Sequence, residues 1–179
     1  MLNGVGSAGK SSTAKALQSL LNKPYLHVQG DAFLEMLPEK MFGHPDGIIF
    51  KNIQSDDEPS IEIEMGANVD KMLRGMRRSV AALADEGNDL IVDDVMLESH
   101  EQQFYHSVLA EHEVSFVGLF APLEILEKRE KERGDRLVGL ARWQVERVHN
   151  GFTYDLKIDT SEASPQECAN QIATALELL

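Results

Sequence analysis

One cysteine, Cys168, occurs in 179 residues. A single thiol closes no disulfide within the chain, and such sparing use fits a reducing, cytoplasmic compartment. The sequence also lacks any apolar run of about 18 residues, the length a membrane span needs. Met1 leads straight into glycines, so no secretory leader is read at the start. Basic residues are scarce beside acidic ones: 17 Lys and Arg face 30 Asp and Glu, a formal net charge of −13. That balance argues against nucleic acid or an acidic membrane surface as the main partner.

What is there is ordinary for a folded enzyme-sized domain. Hydrophobic residues make up 42%, enough for one compact unit spanning 1–179. The few basic residues are not spread evenly, because eleven of the 17 fall in 71–78 and 128–147. Such clusters could serve an anionic ligand; solvated helix faces are the plainer alternative.

Apolar periodicity alternates between two kinds of element. Residues 10–21 place Ala14, Leu17 and Leu21 on one helical face. "YLHVQG" (25–30) reads as a short buried strand, and "DAFLEML" (31–37) as a helix closed by Pro38. Val69, Met72, Leu73, Met76, Val80 and Leu83 mark an amphipathic helix. "DLIVDDVML" (89–97) reads as a strand buried on both faces. Ser99 and Gln102 read as a capping box opening a helix to about Leu109. "VSFVGLFA" (114–121) is a further strand, and Pro122 suits the first position of a helix running to Arg133. Residues 137–149 read as another helix and "YDLKID" (154–159) as the last strand. Ser164, Pro165 and Glu167 combine a cap, a proline and a capping-box acid at the start of the final helix. Strands alternating with helices predict an α/β fold of three layers, a parallel sheet flanked by helices. The irregular stretch is 41–66, where "GIIF" and "SIEIEM" flank "KNIQSDDEP" as a hairpin or mobile excursion.

"GVGSAGKSS" (4–12) answers to G-x-x-x-x-G-K-[ST] in full. Phosphates need several backbone N–H groups converging on them, and side chains would block that approach. A helix beginning at Lys10 adds its unsatisfied N–H groups and its dipole. The expected nucleotide-binding residues are Gly4, Gly6, Ser7, Ala8, Gly9, Lys10, Ser11 and Ser12. Lys10 bridges the terminal phosphates and Ser11 ligands Mg²⁺. A strand normally precedes such a loop. Only Met1, Leu2 and Asn3 do so here, so further residues upstream of Met1 are expected. A guanine-reading Asn-Lys-x-Asp is missing: the only Asn-Lys, Asn22-Lys23, runs into Pro24 and Tyr25. A kinase for a small substrate is the simplest remaining user of ATP.

Acids at the C-terminal ends of strands line the site of a parallel sheet. Asp31, directly after the second strand, could accept a proton from an attacking hydroxyl or simply cap a helix. Glu35, one turn on, could help position the acceptor. Asp93 and Asp94 end a buried strand and point opposite ways. Asp93 is expected at the metal and Asp94 at the substrate or a neighbouring loop. In "REKERGDR" (129–136), Arg129 and Arg133 stack one turn apart, and Gly134-Asp135 breaks the helix and turns Arg136 back. Three guanidiniums around a turn predict a lid over 128–140 that closes on transferring phosphate. Arg74, with Arg77 and Arg78, could bind an anionic acceptor. His149 reads as a packed or capping histidine.

Taken together, "LNGVGSAGKSS", "GDAFLEMLP", "IVDDVML", "RGDRLVGLA", "RVHNGFTYDLKIDTS" and "PQECA" resemble the chloramphenicol phosphotransferase-like family of P-loop kinases. The likeness runs in order over nearly the whole chain. It implies the P-loop kinase fold with a mobile lid, ATP and Mg²⁺, and transfer to a hydroxyl of a small molecule. It implies that Asp31 is the catalytic base. It also implies that the 160–164 loop borders the adenine, with Arg129 or Arg133 stacking on it. The departure lies in 41–66, longer and more acidic here, with Asp56, Asp57, Glu58, Glu62 and Glu64. Three functions stay open on sequence: an O-phosphotransferase for a chloramphenicol-like acceptor, a nucleotide or sugar kinase, and a nucleotide-binding regulator that transfers nothing. Acceptor charge separates the first two, since a neutral acceptor needs no arginine cluster.

Overall fold

The computed structural model describes residues 1–53, 59–134 and 137–179. In chain order the elements are β1 (Leu2–Asn3), α1 (Lys10–Leu20), β2 (Tyr25–Gln29), α2 (Gly30–Leu34), β3 (Ile48–Asn52), β4 (Ile61–Met65), α3 (Ala67–Asp85), β5 (Asp89–Asp94), α4 (Ser99–Val108), β6 (Val117–Phe120), α5 (Leu123–Arg133), α6 (Leu140–Val145), β7 (Leu156–Asp159) and α7 (Pro165–Ala175). Five strands form a sheet in the order β2-β5-β1-β6-β7, every described pairing parallel. β3 and β4 form a separate antiparallel hairpin, with one isolated bridge from Ile48 to Phe42.

The sheet is packed on both faces, which the double-sided apolar strands require. Ile91 and Val92 of β5 point to opposite faces. Ile91 joins Leu17, Leu126 and Ile172 beneath α1, α5 and α7. Val92 joins Met76, Val80 and Tyr105 beneath α3 and α4. Cys168 is buried filling in α7. Because all strands run the same way, their C-terminal ends gather Asn3, Gln29, Asp93 and Asp94 along one edge, where the connecting loops converge.

Several element boundaries depart from expectation. β2 is an edge strand with only Val28 fully buried, because its outer neighbour is solvent. β5 stops at Asp94, because the next N–H turns inward to the Asp94 carboxylate (2.8 Å) and that of Met96 to Asn3 Oδ1 (3.0 Å). The capping box of α4 lies one residue earlier than read: Glu98 and Glu101 form it. Gln102 instead pairs with the Thr153 backbone through both ends of its amide. Pro122 is the N-cap of α5 rather than its first residue. The helix expected over 137–149 is only α6, because Gly139 sits at φ +109° and forces the chain to turn before it can coil. A Cβ there would lie 2.7 Å from the Pro59 carbonyl oxygen. The excursion is the β3–β4 hairpin, tied to the body where Ile61 N–H reaches Gly139 O (3.0 Å), while Gly66 N–H to Gly47 O (2.6 Å) closes its own base. Asp56, Asp57, Glu58 and Arg136 lie outside the described residues.

Candidate active site

The phosphate-cradle loop joins β1 to α1. Gly9 closes it in the left-handed conformation, φ +89°, which only glycine takes without strain. Gly6, Gly9, Lys10, Ser11 and Ser12 face a cleft of about 500 Å³. Gly4, Ser7 and Ala8 are buried in the loop. Lys10 Nζ donates to the carbonyls of Gly4 (3.0 Å) and Val5 (3.2 Å) and lies 4.0 Å from Asp93 Oδ1. Ser11 Oγ donates to Asp93 Oδ2 at 2.5 Å. Burial alone pushes the Asp93 carboxyl up; the His27 imidazole, the Lys10 charge and the Ser11 hydroxyl outweigh it and hold the group below its ordinary value.

Asp94 turns the other way, as alternation along a strand demands. It borders the cleft, but one oxygen accepts from Val95 N–H and the other from Tyr105 Oη (3.1 Å), with Arg77 at 3.7 Å. Arg77 is buried and also bound to Glu101, which in turn accepts from the N–H groups of Leu97 and Glu98. Arg77 therefore holds α3 to β5 and α4 and leaves no charge for an acceptor. Arg74 is exposed and lines an adjacent groove with Glu62, Asp70 and Arg147, not the cleft that holds the loop. Arg77 lines the same groove, so the two arginines share a face, but only Arg74 is exposed there, because Asp94 and Glu101 engage Arg77.

Asp31 and Glu35, at the start of α2 and just beyond its end, both face the cleft, as does Arg133 at the end of α5. Gly134 ends α5 at φ +68°. Arg129 points to the loop after β7, donating to the carbonyls of Thr160 (2.6 Å) and Ser161 (3.2 Å). Part of the cleft lining is an apolar wall. It comprises Leu34, Phe42, Phe50, Ile63, Met65 and Leu137, of which Phe42, Phe50 and Leu137 remain 37–48% exposed. The acids of the hairpin alternate away from this wall. Phe50 pairs with Ile63 across the strands, whereas Glu64 meets Lys51 on the outer side.

Three side chains of this region escape sequence reasoning. Gln144 of α6 accepts the N–H of Gly6 at 2.8 Å, placing a side-chain oxygen against the phosphate loop. Glu130, 2% exposed, accepts from Gly139 N–H (2.7 Å) and Ala141 N–H (2.8 Å), capping α6 from α5. His27, in the edge strand, lies 3.4 Å from Asp93. His149 packs on Phe120 with ring centroids 3.8 Å apart and meets the Tyr154 hydroxyl at 2.8 Å, a structural role.

One hydroxyl and one carboxylate side by side suit a hard divalent cation that completes its octahedron with phosphate oxygens and water. Among the described residues no three His, Cys, Asp or Glu could hold a metal by themselves. A cation here would draw its remaining ligands from a nucleotide. The glycine-rich loop on a helix N-terminus fits the nucleotide's phosphates. No helix among the described residues is long and apolar enough to cross a membrane.

Comparison with known proteins adds independent findings. A family model described as "Chloramphenicol phosphotransferase-like protein" matches residues 1–177. A Mycobacterium tuberculosis protein named "Putative O-phosphotransferase" is 28% identical over 177 residues, covering 96% of this chain and 79% of that protein. Among solved structures, a sugar kinase from Janibacter sp. HTCC2649 superposes with a TM-score of 0.70 at 20% identity, covering 99% of this chain and 92% of that one. The APS kinase of M. tuberculosis, solved with AMPPNP and APS, gives 0.68 at 18% identity, with 98% and 95% covered. At these identities the structural likeness establishes the fold, that of P-loop kinases.

Proposed function

The chain belongs to the chloramphenicol phosphotransferase-like family, and from that premise we propose that it transfers the γ-phosphate of ATP to a hydroxyl of an uncharged, largely apolar small molecule. The observation that carries this reading is one cleft lined by the phosphate loop, by Asp31 and by a set of apolar side chains together. A chloramphenicol-like acceptor fits such a wall. A phosphorylated acceptor is less well matched, since Arg133 is assigned to the transferring group, Arg77 is neutralised internally and Arg74 lines the adjacent groove.

The loop N–H groups and Lys10 hold the phosphates. Ser11 and Asp93 hold Mg²⁺, which when bound polarises the phosphate oxygens. Asp31 takes the proton as the acceptor oxygen bonds to γ-phosphorus and the bond to the β–γ bridging oxygen breaks, releasing ADP. Arg133 and Arg136 neutralise charge on the group in flight. Glu35 orients the acceptor, and Arg129 shapes the 160–164 loop against the adenine. In this reading 1–179 is one domain, with 41–66 on the acceptor side and 128–140 as lid, working in the cytoplasm.

The test is ADP release from ATP and Mg²⁺ across neutral aromatic alcohols including chloramphenicol, sugars and nucleoside monophosphates. Release with neutral apolar alcohols is expected. Release only with phosphorylated acceptors would overturn the acceptor assignment and favour a nucleotide kinase. Binding of ATP with no acceptor-dependent release would favour the regulator.

A further inference from the structure

β2 presents an anomaly. It is an edge strand with Leu26 40% exposed, yet it buries the imidazole of His27, whose side chain is 8% exposed. His27 Nε2 has no hydrogen-bond partner among the described residues. Leaving a polar nitrogen dry and unpartnered is unfavourable, and such groups gather where a site awaits another component. The nearest acceptor is Asp93 Oδ2, at 3.4 Å, about half an ångström beyond a closed hydrogen bond.

Asp93 is approached from two other sides. Ser11 donates to the same Oδ2, and Lys10 faces Oδ1. A carboxylate has about four lone-pair directions. Ser11 alone leaves it free to swing about its Cβ–Cγ bond. A third donor, on a separate strand held in register by Tyr25↔Asp89 through Gln29↔Asp93, would fix that rotation. Side chains that hydrogen-bond a metal's ligands set ligand orientation in this way.

We infer that His27 is a positioning residue: as the Nε2–H tautomer it closes onto Asp93 when magnesium and nucleotide load the loop, and it fixes the carboxylate plane that meets the cation. The inference rests on the magnesium reading of Ser11 and Asp93. It assigns a role to a histidine placed in the second strand rather than in the phosphate loop, lid or acid pair.

His27→Phe keeps a ring and removes the nitrogen; His27→Gln restores an N–H donor. At fixed pH, melting temperatures are measured without ligand, with ATP in EDTA, and with a non-hydrolysable ATP analogue during Mg²⁺ titration. For His27→Phe the unliganded melting temperature is expected to change little, since losing the imidazole's pull on Asp93 is offset by removing a dry polar nitrogen. The shift with ATP in EDTA stays as in the wild type. The Mg²⁺ concentration giving half the metal-dependent shift rises about 10- to 100-fold, and His27→Gln recovers part of it. A Phe variant with wild-type Mg²⁺ dependence would overturn the role. So would one whose unliganded melting temperature falls while its Mg²⁺ midpoint stays put, which is the signature of packing alone. Either result leaves the magnesium reading standing. A wild-type protein indifferent to Mg²⁺ would overturn both.

Discussion

Replacing Glu130 by glutamine changes one oxygen to an amino group and removes one charge. Its surroundings make that small change expensive. The carboxylate is 2% exposed, and each oxygen accepts a backbone N–H at the start of α6, from Gly139 at 2.7 Å and Ala141 at 2.8 Å. Glutamine keeps one acceptor and turns a donor toward the other N–H. Losing a bond to a charged acceptor costs about 1.5–3 kcal/mol, and the surviving bond weakens because it is no longer charge-assisted. Relief from burying a charge offsets part of this. The net expectation is a loss of about 2–3 kcal/mol, or about 5–10 °C in melting temperature for a domain of this size. Glu130→Ala should cost more, about 4 kcal/mol, because two N–H groups and a cavity are left behind. Thermal and denaturant melts at pH 7 measure the loss, and hydrogen exchange at Gly139 and Ala141 locates it. Since α6 also brings Gln144 to Gly6, ATP affinity should fall with stability. A Gln variant within about 0.5 kcal/mol of the wild type, typical of a surface change, would refute the reasoning.

Asp31→Asn should lower turnover about 10²- to 10⁴-fold with ATP affinity nearly intact; steady-state kinetics with full retained turnover would reduce Asp31 to a helix-start residue. Arg77→Met leaves Asp94 and Glu101 buried without their cation and should cost about 3–5 kcal/mol at pH 7. The Asp94 carboxyl is already raised by burial, with Glu101 adding and Arg77 and Tyr105 opposing. A raised folded-state value gives stability that is present at acid pH and lost as pH rises, so the variant's deficit should shrink on acidification in denaturant melts. His149 is held neutral, chiefly by burial, its pKa lowered from 6.5 to about 4. The stability this carries is complete above about 6.5 and drains away as pH falls toward about 4. His149→Gln should flatten that limb of the stability curve, and an unchanged limb would contradict the assignment.

Local features were legible in the sequence because their causes are local. The phosphate loop needs glycines at fixed spacing, strands need apolar runs, and neighbouring aspartates on a strand must diverge. Asp93 and Asp94 do diverge, one toward Ser11 and the other toward Tyr105. What stayed hidden depends on contacts between distant parts. Gln144 meets Gly6 across 138 positions, and nothing in "RWQVER" marks it. Glu130 sits in "EKREKER", a run that reads as a solvated helix, yet its face turns inward where α6 begins. Arg74 and Arg77 look like partners in one cluster and do line one groove, but Asp94 and Glu101, distant in sequence, draw Arg77 into the interior while Arg74 stays exposed. His27 had a faint signal, a titratable residue between the apolar Leu26 and Val28.

Among the described residues the β3–β4 hairpin makes no strand pairing with the main sheet, and its backbone meets the body where Ile61 N–H reaches Gly139 O. The cleft is therefore built from two parts that answer to different constraints. The phosphate loop and the acids around it are locked into the core, where a change disturbs folding and chemistry together. The hairpin contributes side chains to the apolar wall and little to the sheet. On the proposed reading, rewriting it would alter what the cleft accepts while the phosphate loop stays intact. If the hairpin carries acceptor recognition, as proposed, descendants of such a chain could drift among acceptors by changing one peripheral ribbon.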